Sequence, residues 1–92
     1  MDDAAYYDDL IGRLYGLAIR LNDRLPADQV QWLYHVTEVG EYGLALEDMA
    51  GMLIYGQIAI TNQERDDMLA LAHQMKMDNL VRDTLKNLPR AD

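Results

Sequence analysis

From Val39 to Asp48 the chain reads Val-Gly-Glu-Tyr-Gly-Leu-Ala-Leu-Glu-Asp, and this corner limits the fold more than any other stretch. Gly40 is placed to supply the left-handed residue that closes a helix C-terminus, and Glu41 follows where an incoming helix N-terminus favours negative charge. Beyond it, apolar residues recur at Tyr42, Ala45, Leu46, Met49, Met52 and Leu53, steps of three and four that mark a helix with one buried face. A chain with such a corner near its middle folds back helix against helix.

The same period extends in both directions. A first helix is expected from about Asp3 to Asp23, burying Tyr7, Leu10, Ile11, Leu14, Leu17, Ala18 and Leu21. Asp2, Asp3, Asp8 and Asp9 crowd its start and Arg20 and Arg24 its end, in accord with the helix dipole. Gly12 and Gly16 are expected to mark the close approach of a neighbouring helix. Pro26 breaks the chain and opens a second helix that runs to Glu38, with Asp28 in its first turn, and with Val30, Leu33, Val36 and either Trp32 or Tyr34 on the buried side. The third helix, Glu41 to Tyr55, should end at Gly56 as the second ends at Gly40. After a short connector, Gln57 to Ile60, the run Thr61-Asn62-Gln63-Glu64 forms a capping box, in which the threonine hydroxyl and the glutamate carboxylate each accept from the other residue's backbone N–H. The fourth helix then runs to about Met77 through Met68, Leu69, Leu71, Ala72 and Met75. A short last segment uses Asp78 as a cap and packs Leu80, Val81, Leu85 and Leu88, and residues 89–92 form a loose end. The expectation is one all-α domain over residues 1–92: a compact bundle of four main helices with a short C-terminal helix or extension.

Ninety-two residues, half of them hydrophobic, provide for a single core. There is no cysteine, which excludes disulfides and thiolate metal sites and fits a reducing cytoplasm. The start, Met1-Asp2-Asp3, is not that of a signal peptide, and no run of about 18 apolar residues offers a membrane span. The net charge of −8 is unevenly placed. Residues 28–67 hold eight carboxylates against Arg65 alone, a net of −7, whereas residues 68–92 carry +1. That middle repels a phosphate backbone and attracts a basic protein, or it serves only to keep the chain solvated.

Catalytic signatures are missing. His35 and His73 stand in no metal-ligand spacing, and the neighbouring pairs Asp2-Asp3, Asp8-Asp9 and Asp66-Asp67 point about 100 degrees apart on a helix, so they do not converge on a substrate. No phosphate loop, nucleophile elbow or calcium-binding loop occurs. The sequence therefore reads as no enzyme, with no metal and no cofactor. The second and third helices with Gly40 imitate a helix-turn-helix. The would-be recognition helix, however, has Glu41, Glu47 and Asp48 and not one Lys or Arg, which argues against nucleic acid.

Binding to protein remains. Glu38, Glu41, Glu47 and Asp48, with Tyr55 at the end of a helix, combine orienting charge with a rigid amphipathic ring, and Asp66 with Asp67 forms a second acidic patch. Tyr42 falls on the buried stripe and reads as core. The methionines read as adaptable core filling.

The run Val39-Gly40-Glu41-Tyr42-Gly43-Leu44-Ala45-Leu46-Glu47, followed by Ile60, the Thr61 to Glu64 cap and Leu69 to Met77, resembles the Maf-type family of small bacterial immunity proteins. The resemblance implies a cytoplasmic protein that binds and neutralises a cognate polymorphic toxin, such as a nuclease, by direct contact. The match lies in Gly40, Glu41, Gly43, Leu44, Ala45, Leu46 and Glu47. The competing expectation is a small acidic helical adaptor or regulatory homodimer with no toxin partner.

Overall fold

The computed structural model describes residues 3–92; Met1 and Asp2, with the part expected of Asp2 in the first turn, lie outside it. Five helices follow in order: α1 Asp3–Arg20, α2 Ala27–Glu38, α3 Tyr42–Tyr55, α4 Asn62–Gln74 and α5 Asp78–Leu85. The fold is all-α, as the periodicity requires. The middle helix is its axis, since α3 packs against each of the other four. Its sequence explains why: in fourteen residues its only charges are Glu47 and Asp48, so it can be enclosed on most sides. Ala45, Leu46, Met49, Ala50 and Leu53 bury there against Leu10, Leu14, Leu33, Met68, Leu71 and Val81 from the surrounding helices.

Three helices end in the same way. At Gly40 (φ 87°) the Glu41 N–H reaches back to the Val36 carbonyl at 2.9 Å and the Gly40 N–H to Thr37 at 3.1 Å. This is the Schellman pattern, which satisfies carbonyls left open at a helix end. It recurs after α3, with Ile58 on Leu53 at 2.9 Å, and after α4, with Met77 on Ala72 at 2.8 Å. The left-handed residue at those two turns is not glycine: it is Gln57 (φ 50°) and Lys76 (φ 60°). Gly56 thus does not repeat the role of Gly40. Its φ is −84°, and it serves by lacking a Cβ, which would stand 3.0 Å from the Ile58 side chain folded over it. The turn at Lys76 also stops α4 at Gln74, short of the expected Met77, and makes α5 a separate helix.

Other expectations are corrected by rotation about a helix axis. On α1, Tyr7 is 47% exposed and Leu10 takes the first buried position. Nothing lies within 4 Å of a Cβ placed at Gly12 or Gly16, so neither marks a close helix contact. The helix gives way after Arg20 to turns closed by Arg24 N–H on Leu21 and Leu25 N–H on Leu21. On α2, Tyr34 packs against the core while Trp32 faces outward. On α5, Val81 and Leu85 form the buried side and Leu80 is 52% exposed. Asp78 makes no cap for α5; its carboxylate meets His73 Nδ1 at 2.8 Å across the α4–α5 turn, which holds the Asp78 carboxyl below its ordinary pKa.

Residues 89–92, expected as a loose end, are tied back. Ile60 and Arg90 form an isolated parallel bridge, with Ile60 N–H on the Pro89 carbonyl at 3.2 Å and Ala91 N–H on the Ile60 carbonyl at 2.9 Å. The Asp92 carboxylate accepts from Asn62 N–H at the start of α4, where a helix N-terminus favours negative charge. Half-buried Arg65 holds the neighbouring segment by donating to the carbonyls of Leu85 and Leu88.

Candidate functional site

Two groups of carboxylates behave differently. The capping box at Thr61 is present, with Glu64 N–H on Thr61 Oγ1 at 3.0 Å and Thr61 N–H on Glu64 Oε1 at 2.9 Å. Glu64 does more than cap, because its side chain is 1% exposed and is gripped by two arginines from the end of α1. Arg24 donates to both of its oxygens, at 2.9 and 2.6 Å, and also to the Ala59 and Arg20 carbonyls. Arg20 approaches at 3.4 Å. The Arg24 hydrogen bond, opposed by burial and aided by Thr61 N–H and the charges of both arginines, lowers the Glu64 pKa to about 2. The Arg24 pKa is raised in turn. Glu64 is spent on the fold.

Asp67, expected in a second acidic patch, lies half-buried in the cleft between α1 and α4. It stands 3.9 Å from Arg20 and accepts from Gln63 at 2.9 Å, so its charge is partly offset. Asp66 is exposed and lines none of the cavities described here. Glu38 is exposed on the last turn of α2. Glu41 is the N-cap of α3 but makes no side-chain cap; it borders an open hollow of about 650 Å³ with Tyr6, Tyr7, Tyr42 and Leu44. The rings there are in contact, Tyr6 edge-on to Tyr7 at 5.2 Å and Tyr7 tilted on Tyr42 at 5.7 Å.

Glu47, Asp48 and Tyr55 are the expected site residues that the fold brings together. Helices α2 and α5 both pack on α3 and not on each other, which leaves a groove of about 510 Å³ with α3 as its floor. Glu47, Asp48, Gly51, Met52 and Tyr55 line it from α3, Gln29 from α2, and Leu80 and Thr84 from α5. Glu47, Gly51 and Tyr55 recur every fourth residue, so they form one stripe along the floor. Tyr55 is 90% exposed. No Lys or Arg lines the groove.

The sequence did not place Trp32 or Leu80 here: Leu80 was expected in the core, and Trp32 was an alternative to Tyr34 for the buried side of α2. Trp32 stands one turn beyond Gln29 on α2, 45% exposed, and donates from Nε1 to Asp48 Oδ2 at 2.7 Å. The Val30, Leu33 and Val36 line does not separate Trp32 from Tyr34, each about 100 degrees from Leu33 on opposite sides; the buried Thr37 lies on the Tyr34 side, and that is the side on which the core closes. Leu80 likewise falls about 100 degrees from Val81.

Among the described residues no group of three or more His, Asp or Glu is disposed to hold a metal ion, and no helix is long and apolar enough to cross a membrane. What the groove can do chemically is bind: it offers two carboxylates, the exposed Tyr55 ring and an exposed leucine around a concave floor, with Trp32 attached to it through Asp48. No family model, no curated protein and no solved structure matches the chain.

Proposed function

We propose that this chain is an immunity protein that captures a basic bacterial toxin domain in the α2–α3–α5 groove and neutralises it by direct contact in the cytoplasm. One observation carries the reading: the only charges on the central helix emerge, without a cationic partner, in a groove beside exposed Trp32, Tyr55 and Leu80. Aromatic anchors next to orienting carboxylates are the composition that protein interfaces favour, and the negative field of residues 28–67 speeds encounter with a basic surface. The resemblance of the Val39–Glu47 corner to Maf-type immunity proteins supports a toxin as the partner. The carboxylates would occupy Lys or Arg side chains of the toxin, and the tyrosine and tryptophan would exclude water around them.

The test is co-expression and pull-down with the product of the adjacent gene, followed by association kinetics. Wild type should form a one-to-one complex, and reversing both charges (Glu47→Lys with Asp48→Lys) should slow association about tenfold or more at low salt and restore toxicity in cells. Absence of a complex with the wild-type chain counts against the toxin reading.

A second reading, a self-associating helical adaptor, draws on Tyr6, Tyr7 and Leu44, all exposed around the hollow at the Gly40 corner. Sedimentation of the isolated chain separates the two: a dimer weakened by Tyr7→Ser favours the adaptor, and a monomer counts against it.

A further inference from the structure

The groove has the shape of a place left for one more helix. Helices α2 and α5 both pack on α3 and make no contact with each other, so the strip of α3 between them is uncovered. Along that strip Glu47, Gly51 and Tyr55 form a row of every fourth residue, and on α5 Leu80 and Thr84 form another. Rows of this kind are the ridges between which a further helix lays its own side chains. The α3 row spans about 12 Å, a little over two turns. At its middle Gly51 makes a notch, for a Cβ there would meet nothing within 4 Å. The walls also select against an extended segment. Their backbone groups are committed to the helices themselves, and Thr84 Oγ1 already donates to the Leu80 carbonyl, so an extended chain would leave water for few partners. A helix arrives with its own N–H and C=O groups already paired.

Charge decides what kind of helix fits. No Lys or Arg lines the groove, and a twofold pair of copies joined here would set the same carboxylates against each other. Asp48 is turned toward α2, where Trp32 Nε1–H donates to it at 2.7 Å, and Glu47 lies about 100 degrees round α3 from it. The two carboxylates therefore diverge, and they suit two cations on separate turns of one element, not one group held between them. We propose that the groove receives a single amphipathic helix of the partner, with its apolar row over Gly51 and the exposed Leu80 and with Lys or Arg on both sides of that row. This rests on the reading of the groove as the contact surface for a basic partner, and it names the element that enters.

The probe is an acetylated, amidated alanine-based peptide of about four turns, with leucine at every fourth position and lysine on both sides of that row, titrated into the full chain by calorimetry at fixed salt. Two companion peptides differ from it, one by a central proline that breaks the helix at unchanged charge, the other by glutamate in place of lysine. The lysine peptide is expected to bind saturably, one per chain, and about tenfold or more tightly than either companion. Gly51→Leu fills the notch and raises the helix propensity of α3. Thermal unfolding should show it at least as stable as wild type, while its affinity for the lysine peptide falls about tenfold. Attraction to diffuse negative charge alone would respond neither to the proline nor to the leucine. No binding of the lysine peptide, equal binding of the proline peptide, or an affinity unmoved by Gly51→Leu overturns the inference. A toxin complex in the pull-down together with a failed peptide titration removes the helix docking alone, and the converse result removes the toxin reading alone.

Discussion

Glu64 and the pair Glu47 and Asp48 are the same chemistry put to opposite uses. Glu64 is enclosed, chelated by Arg24 through both oxygens and locked into the cap of α4, so that it joins the end of α1 to the start of α4. Glu47 and Asp48 sit on the most enclosed helix of the bundle yet open into a groove with no cation along it. A net charge does not distinguish the two; only the placement of the arginines does. Arg20 ends α1 and Arg24 lies in the turns just after it, both within reach of Glu64 and Arg20 also of Asp67, whereas the groove is bordered by α2, α3 and α5.

If that contrast is right, removing Glu64 has the largest effect. Glu64→Ala removes the carboxylate half of the capping box and strands a half-buried Arg24, and should lower unfolding free energy by about 3–5 kcal/mol in urea titrations. A loss below about 1 kcal/mol would put Glu64 in the same class as Glu47. Acid offers the next sharpest contrast. Because the folded Glu64 pKa is lowered from 4.5 to about 2, its contribution, about 3 kcal/mol, is complete above pH 4.5 and is lost as pH falls from there through about 2. Glu64→Gln should flatten the stability profile within that window and leave the profile above it parallel to wild type. The turns supply a smaller effect of opposite sign. Lys76 bears a left-handed φ of 60° that glycine adopts without strain, so Lys76→Gly should raise stability by about 1 kcal/mol, read from the urea midpoint. The smallest effect is in the groove, where Glu47→Lys should change stability by less than about 0.5 kcal/mol while slowing capture of a basic partner.

The helices were legible in the sequence because each keeps one apolar line, and so were Gly40 and the Thr61 cap, whose signals are local. Gln57 and Lys76 escaped because a left-handed turn was sought through glycine, whereas packing after α3 and α4 imposes that conformation on residues with a Cβ. Leu80 escaped because a large apolar side chain next to a buried position was read as buried, and Trp32 was left as the alternative to Tyr34 because the two flank Leu33 equally. The role of Glu64 lay beyond any local pattern, since Arg24 is forty residues away and reaches it only when α1 and α4 are side by side. The groove was half legible: Glu47, Asp48 and Tyr55 were expected at the surface, but that α2 and α5 leave α3 open between them follows from topology.

The three Schellman turns also bear on the order in which the chain assembles. Each is closed by bonds between residues at most five apart, so α2, α3 and α4 can terminate before any distant contact exists. The Arg24–Glu64 clasp, between residues 40 apart, and the Ile60–Arg90 bridge join distant segments and therefore form after these local turns. In a chevron experiment Glu64→Ala should accordingly speed unfolding and leave the folding limb almost unchanged, making the clasp a kinetic latch on a bundle that assembles without it.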